Sequence, residues 1–215
     1  MKTFPRLLLL LVLPLYALDQ ITKWIVVLKF EAPAPGFNVS HQNHVVIEDF
    51  FTIVRVHNQG AAFGMGNDTA WAPVVFFFIA VVALGLIPFF WRRGAFNILP
   101  LRLAAGLMMA GILGNLTDRM LQGFFLPAYE NAGFFARLAQ GYVVDFLDFN
   151  IGLETKLTPH GHWPSFNVAD SCICVAAFFL ILSTFRAEEK GEDEGGGKSK
   201  CCLLYTSPSP RDVLR

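Results

Sequence analysis

Charged residues are scarce in this chain of 215 residues: only 16% are Asp, Glu, Lys or Arg, and the formal net charge is zero. There is no basic stripe interleaved with aromatic side chains, the pattern of proteins that follow a phosphate backbone, so the sequence indicates no nucleic acid partner. Hydrophobic residues make up 54% of the chain, more than a soluble domain usually contains. The composition therefore favours a membrane protein.

Several catalytic and metal-binding motifs are also missing. There is no HExxH sequence, and His160 and His162 in PHGHW are more typical of a solvated loop than of a zinc site. The four cysteines form neither a CxxC pair nor a disulfide framework. Ser171 lies beside Asp170, but no GxSxG motif accompanies it. We therefore expect no metal ion, no cofactor and no serine or cysteine nucleophile.

Four segments are long and apolar enough to cross a bilayer, for which a helix needs about 20 residues. They are residues 7–28, 70–91, 97–118 and 166–185. The first contains Asp19 and Lys23, and its alternative interpretation is a cleaved signal peptide, because Lys2 and Arg6 precede a short apolar core. Apolar residues resume after Lys23 and three further spans follow, so we favour a retained helix.

The basic residues predict how the spans are oriented. Lys and Arg occur before the first span, between the second and third, and after the fourth, which is the pattern of cytoplasmic segments. Both termini are then cytoplasmic, and residues 29–69 and 119–165 lie outside. The first outer segment alternates as VVIEDFFTIVRVH, which predicts a small sheet on the membrane. The second contains FFLPAYENAGFFARL, which predicts either a short interfacial helix or an ordinary packed loop.

The predicted fold is an all-α four-helix transmembrane bundle with a small extracytoplasmic β-sheet and an interfacial loop or helix. Residues 1–190 form a single membrane domain, and residues 191–199 form a charged cytoplasmic tail. Residues 200–215 change abruptly in composition and resemble a translated sequencing adapter, so we exclude them as non-native. We expect the protein to be a monomer.

Polar side chains of the spans are predicted to meet at one depth, near the outer face. Spans one and three run outward and span four runs inward, so the ends of the first two and the start of the last share a level. The polar residues at that level are Asp19, Lys23, Asn115, Asp118, Arg119, Asn167 and Asp170. Ionisable groups inside a membrane are costly, so each is a hypothesis about function.

We expect Asp145 to lie in the loop that closes the second outer segment. Its apolar neighbours in GYVVDFLDF favour it as a buried carboxylate over Asp148, which we expect to be solvated. If Asp145 and Asp170 met in a partly desolvated place, they would share a proton and could activate water against a carbonyl. A proton-coupled transporter or a noncatalytic scaffold is the alternative, although a transporter predicts polar residues along the whole bundle.

Five short motifs together resemble bacterial signal peptidase II, the lipoprotein signal peptidase family. They are LDQITKW at 18–24, VHNQGAAFG at 56–64, GNLTDR at 114–119, VVDF at 143–146 and FNVADS at 166–171. The motifs occur in the right order and on the expected side of the membrane, which makes the resemblance specific. It covers about residues 7–186.

The resemblance implies a four-span aspartyl peptidase of the bacterial inner membrane, with Asp145 and Asp170 as its catalytic pair. Such enzymes remove the signal peptide from prolipoproteins that carry diacylglycerol on a cysteine, cutting just before that cysteine, and globomycin inhibits them. The implied partners are lipid-modified prolipoproteins and membrane lipid. The implied supporting residues, as scaffold or substrate contacts, are Asp19, Lys23, Asn58, Asn115, Asp118, Arg119 and Asn167.

One departure from the family is the interval between GNLTDR and VVDF. Residues 120–142 form a longer connection than familiar members have at this place. We favour a surface elaboration, and the alternative is a segment that caps the site or shapes substrate preference.

Overall fold

The structure is a computed structural model that describes residues 3–34, 36–60, 71–155 and 158–195. Within that part of the chain, four helices are long and apolar enough to cross a membrane. They cover Phe4–Lys29, Ala72–Arg92, Leu99–Phe125 and Val168–Phe185. The four predicted spans are therefore confirmed, with shifted boundaries.

The first span consists of three consecutive helical segments. Helix α1 is Thr3–Leu7, a π-helical turn is Leu8–Val12, and helix α2 is Leu13–Lys29. Pro14 lies in the first turn of α2 and has no N–H to donate, so the α-helical bonding pattern cannot continue through it. The wider π-helical turn directly before the proline coincides with this interruption.

The other helices and the strands follow in chain order. The remaining helices are α3 (Ala72–Arg92), α4 (Leu99–Leu121), α5 (Phe134–Ala139) and α6 (Val168–Gly195). The strands are β1 (Val39–Ile47), β2 (Phe51–Asn58), β3 (Val143–Asn150) and β4 (His162–Phe166). Together they form the predicted membrane bundle with a small sheet.

Some predicted segments fall at or beyond the limits of the described residues. Helix α6 continues past the predicted end of the fourth span to Gly195, within the segment predicted as a charged tail. The rest of that tail and the segment predicted as non-native, residues 200–215, lie outside the described residues. Residues 61–64 of the VHNQGAAFG motif and residue 70 of the second predicted span do too. The domain boundaries stay a prediction.

Helix α4 is the central helix of the bundle and packs against α2, α3 and α6. Small residues allow this close approach. A Cβ atom added at Gly111 would collide with the backbone of Ala169 in α6. One added at Gly114 would collide with the carboxylate of Asp19 and approach the side chain of Ala169 to 3.1 Å. The two glycines therefore bring α2 and the start of α6 against the same stretch of α4.

The sheet has four antiparallel strands in the order β1-β2-β3-β4. The first outer segment supplies β1 and β2, as predicted, and the second supplies β3 and β4. Asp145 therefore lies in the strand β3 and not in a loop, which corrects the prediction. Residues 143–146 are all buried, so the strand lacks the alternation that marks a half-exposed strand in a sequence.

The connection at residues 120–142 is a folded segment. It contains two short 3₁₀ helices and α5, the predicted short helix. The Arg137 side chain donates a hydrogen bond to the Phe124 carbonyl oxygen and lies 5.0 Å from the centre of the Phe124 ring. Gly123 and Gly141 pack directly against the backbone carbonyls of Arg137 and Arg119, where a Cβ atom would clash. The segment is thereby fixed against the end of α4.

Arg55 joins the sheet to the first span. Its side chain donates to the backbone carbonyl oxygens of Val27 and Phe30 at 3.0 and 2.8 Å, at the end of α2 where a cation is favoured. Its Nε donates to His57 Nε2 at 3.0 Å, and the His57 ring stacks on Tyr142 with centroids 3.7 Å apart. Burial and the neighbouring guanidinium lower the pKa of His57 to about 3.

The lowered pKa of His57 leads us to predict that protonation of this residue destabilises the fold in acid. The unfolded residue binds a proton below about pH 6.5, whereas the folded residue, with a pKa of about 3, stays neutral. Stability is therefore lost as the pH falls from about 6.5 toward 3. A His57→Gln variant keeps an acceptor for Arg55 without a titrating group. Its melting temperature in detergent should fall less between pH 6.5 and 4.5 than that of the parent.

The matched control is His44→Gln at an exposed position of β1. It should lose stability in acid as the parent does. An equal loss in the parent and both variants would contradict this role of His57.

Candidate active site

Eight of the nine polar residues predicted for the site form one continuous network of hydrogen bonds and ion pairs. The network lies where α2, α4 and α6 meet the sheet. Its members are Asp19, Lys23, Asn58, Asn115, Asp118, Asp145, Asn167 and Asp170. The ninth, Arg119, binds the backbone next to this network. The structure thus brings together residues from three helices and two strands.

A fully buried ion triad forms the base of the network. Lys23 Nζ lies 2.9 Å from Asp19 Oδ2 and 3.0 Å from Asp118 Oδ2, and it donates to Asn115 Oδ1 at 2.9 Å. These three acceptors match the three N–H groups of an ammonium. The side chains of Asp19, Lys23 and Asp118 are at most 1% exposed. Removing one partner would leave an uncompensated buried charge, so each member depends on the others.

The carboxylates of the triad also hold the backbone that leads to the predicted catalytic pair. Asp118 Oδ2 accepts a hydrogen bond from the Val144 N–H at 3.1 Å. Asp19 Oδ1 accepts one from the Ala169 N–H at 2.8 Å. Val144 and Ala169 are the residues immediately before the two members of the pair. The triad therefore sets the relative positions of β3 and the start of α6.

Asp170 is fixed by reciprocal hydrogen bonds at the start of α6. Asn167 Oδ1 accepts from the Asp170 N–H at 2.9 Å, and Asp170 Oδ2 accepts from the Asn167 N–H at 3.3 Å. This is a capping box, so Asn167 precedes the helix as its N-cap and does not lie within the fourth span as predicted. Asn115 Nδ2 donates to Asp170 Oδ1 at 2.8 Å. The positive end of the helix dipole favours a negative charge here.

Asp145 lies opposite Val56 of β2 and is 2% exposed. Its Oδ2 accepts from Asn58 Nδ2 at 3.0 Å, and its Oδ1 accepts from Asn167 Nδ2 at 2.7 Å. Asn58 is two residues beyond Val56 on the same face of β2, which makes it the diagonal neighbour of Asp145. Burial raises the pKa of Asp145 well above its usual range, and the nearby charge of Asp170 raises it further.

Asn167 links the two carboxylates. Its side-chain amide donates to Asp145 and its backbone N–H donates to Asp170, so both acids lie within reach of one residue. Two carboxylates that bind the same residue cannot easily both be ionised, because like charges repel strongly in a buried place. Asp170 is partly exposed, whereas Asp145 is buried. The pair is therefore accessible from the side of Asp170.

Arg119 holds the turn that follows β2. Its guanidinium donates to the carbonyl oxygens of Gln59 and Gly60 at 2.9 and 2.6 Å, and it lies 5.1 Å from the centre of the Phe76 ring. Asn58 Oδ1 accepts from the Gly60 N–H at 3.0 Å. The turn directly after Asn58 is thus held by Arg119 through its carbonyl oxygens and by Asn58 through the Gly60 N–H.

Two residues near the site differ from what the sequence predicted. The sequence does not predict Gln20 as a member of the site, yet its Nε2 donates to Asp19 Oδ2 at 3.2 Å and to Asp118 Oδ1 at 3.1 Å. The sequence feature that indicates a place for Gln20 in the site is its position directly after Asp19 in DQITK. Asp148, expected to be solvated, is 14% exposed, and its Oδ2 lies within hydrogen-bonding distance of His162 Nδ1, at 3.0 Å.

The groups around the two aspartates are hydrogen-bond donors. They are the side-chain amides of Asn58, Asn115 and Asn167 together with the Asn167 backbone N–H. Among the described residues, no group of three or more His, Cys, Asp or Glu side chains is placed to hold a metal ion. The arrangement suits acid–base chemistry on two carboxylates.

Comparison with known proteins identifies the family. The family described as "Signal peptidase (SPase) II" matches residues 11–186. Curated relatives named lipoprotein signal peptidase include those of Nitratidesulfovibrio vulgaris, 36% identical over 181 residues (82% of this chain, 89% of the relative), and of Symbiobacterium thermophilum, 34% identical over 175 residues (80% and 90%).

The relative from Vibrio cholerae serotype O1 is 33% identical over 153 residues, which is 71% of this chain and 75% of the relative. A solved structure described as a bacterial membrane enzyme aligns with a TM-score of 0.62 and 26% identity, covering 90% of this chain and 93% of the other. The chain therefore belongs to the signal peptidase II family and is a membrane peptidase.

Proposed function

We propose that this protein is an aspartyl endopeptidase that removes the signal peptide from diacylglyceryl-modified prolipoproteins by cutting just before the lipidated cysteine. The name shared by the relatives, lipoprotein signal peptidase, supports this substrate class. The observation that carries the catalytic assignment is the bridge that Asn167 makes between buried Asp145 and partly exposed Asp170. The cleavage position and inhibition by globomycin-type cyclic peptides follow from the family resemblance.

The different surroundings of the two acids suggest their roles. Asp145 holds the shared proton, because burial raises its pKa. Asp170, beside the positive end of α6, is the ionised member. It takes a proton from the water that attacks the scissile carbonyl, while Asp145 donates a hydrogen bond to the carbonyl oxygen as negative charge develops there. The proton on Asp170 then passes to the leaving amine, so one water and one peptide bond yield an acid and an amine.

The supporting residues act by position. The amides of Asn58, Asn115 and Asn167 hold the carboxylates in fixed orientations, which a reaction with a water nucleophile requires. The ion triad of Asp19, Lys23 and Asp118 lies beneath them and holds β3 and α6. We therefore assign catalysis to the two aspartates and positioning to the others.

The same proposal places the enzyme in the bacterial inner membrane. Both termini would be cytoplasmic and the aspartates would lie near the outer face, as the distribution of basic residues predicts. A lipid-modified prolipoprotein would then reach the site from the membrane. We propose that the protein acts as a monomer, with membrane lipid around the spans.

A transporter is less consistent with the packing of the bundle. Away from the polar network, the helices meet in an apolar core made of Val12, Ile87, Ala105, Met109 and Ala110. In the described part of the bundle this core separates the polar network from the opposite end, so the described helices form no continuous path of ionisable groups. A proton-coupled transporter would require such a path.

The catalytic assignment predicts that Asp145→Asn and Asp170→Asn each abolish cleavage of a lipid-modified precursor in detergent. Each change keeps the shape of the side chain but removes the acid–base function, so we expect kcat to fall by at least about 10²- to 10⁴-fold with little change in melting temperature. The matched control is Asp148→Asn, which should retain activity. Cleavage at the parent rate by either of the first two variants would contradict the assignment of Asp145 and Asp170 as the catalytic pair.

The positioning role predicts a graded loss of stability around Lys23. Lys23→Met leaves two buried carboxylates without their cation, and we expect it to lower the free energy of unfolding by roughly 3–5 kcal/mol. Lys29→Met, at an exposed position of the same helix, should have little effect. A triple variant that also carries Asp19→Asn and Asp118→Asn should be more stable than Lys23→Met alone, because no charge is left unpaired.

Thermal unfolding in detergent measures all three variants. If Lys23→Met and Lys29→Met unfolded at the same temperature, the triad would not hold the site together.

A further inference from the structure

An apolar groove of about 330 Å³ lies between α3 and the connection at residues 120–142. Its walls come from α3, from α5 and from the end of α4. The principal side chains are Phe77 and Phe78 of α3, Phe135, Leu138 and Ala139 of α5, and Arg119 of α4. Its volume is at the lower end of the range for ligand pockets, which begins at about 300 Å³.

Side chains on both walls of the groove are exposed at the outer surface of the protein. Phe78 is 59% exposed and Val74, which also lines the groove, is 44% exposed on α3. On the opposite wall, Phe135 is 81% exposed. Exposed apolar side chains on a membrane span face lipid, and aromatic residues beside a span are typical of the membrane interface. A ligand can therefore enter the groove sideways from the bilayer.

The groove also adjoins the active site. Arg119, which forms part of its wall, fixes the turn next to Asn58, and the Asn58 side chain donates to Asp145. Ala139 at the end of α5 is six residues before Asp145 in the chain. The groove is therefore linked to the surroundings of Asp145 through Arg119 and the turn that it holds.

The wall made by α5 is held in place. The contacts of Gly123 and Arg137 attach α5 to the 3₁₀ helix that precedes it, and the contact of Gly141 attaches the end of the connection to the backbone of Arg119. The side chains of Phe135, Leu138 and Ala139 are therefore presented to α3 from a fixed helix.

We propose that this groove binds one acyl chain of the substrate's diacylglyceryl group, so that the segment at residues 120–142 selects for the lipid. This rests on the proposed function. The lipidated cysteine directly follows the scissile bond, so its chains must run from the catalytic pair toward the bilayer. The groove offers apolar walls beside the site, where burying the CH₂ groups of an acyl chain favours binding. The segment would then shape substrate preference, and would not be the surface elaboration we favoured from the sequence.

A photolabelling experiment tests occupancy without relying on cleavage. The probe is a lipid-modified precursor peptide whose acyl chains end in a diazirine, added to the full-length protein in detergent. We expect labelled peptides from residues 73–78 and 134–139. Labelling should decrease when an excess of the same lipid-modified peptide without a diazirine is added. Label confined to other parts of the protein would overturn the proposal. So would a diazirine phosphatidylglycerol that labels the groove and is not displaced by the lipopeptide, because the occupant would then be bilayer lipid.

A substitution tests whether the groove affects catalysis. Ala139→Phe fills the groove, and Ala136→Phe adds the same ring at an exposed position of α5 outside it. We expect Ala139→Phe to raise KM about tenfold for a substrate with long acyl chains, since about two CH₂ groups lose their contacts. The KM for a short-chain analogue and the kcat for both substrates should stay within about twofold. Ala136→Phe should change neither.

Equal effects of Ala139→Phe on long-chain and short-chain substrates, or no effect on either, would contradict the proposal. Failure of the parent protein to cut either substrate would instead contradict the proposed function, while the photolabelling result would still decide the groove.

Discussion

The charged side chain of Lys23 lies between helices α2 and α4 and has no exposed surface. An ammonium in that position needs three acceptors, and it obtains them from Asp19, Asp118 and Asn115. The free lone pairs of the two carboxylates then bind backbone N–H groups of β3 and α6. The cost of burying one cation is offset by a network that also sets where the two catalytic candidates lie.

That arrangement places two carboxylates in different surroundings on either side of Asn167. Asp145 lies in the interior of a sheet, where burial favours its protonated form. Asp170 lies at a helix start, where the Asn167 backbone N–H and the helix dipole favour its ionised form. Acids whose surroundings differ in this way can divide the roles of acid and base between them. The proposed chemistry thus depends on the junction between a sheet and a helix.

The spans and the common depth of their polar residues could be predicted from the sequence, because hydropathy and the cost of buried charge act locally along the chain. The strand around Asp145 could not be predicted in the same way. Its partner Asn58 is 87 residues away in the sequence, and a fully buried strand shows no alternation. The N-cap role of Asn167 had a local signal in its spacing from Asp170, but the apolar Phe166 before it moved the predicted start of the span.

The central claim is that the two aspartates share one proton at neutral pH, held by Asp145. Infrared difference spectroscopy on the full-length protein in detergent measures this directly, because a protonated carboxyl has a C=O stretch that a carboxylate lacks. We expect a protonated carboxyl band at neutral pH that disappears in Asp145→Asn and persists in Asp148→Asn. A spectrum in which both carboxyls of the pair are ionised at neutral pH would contradict the account.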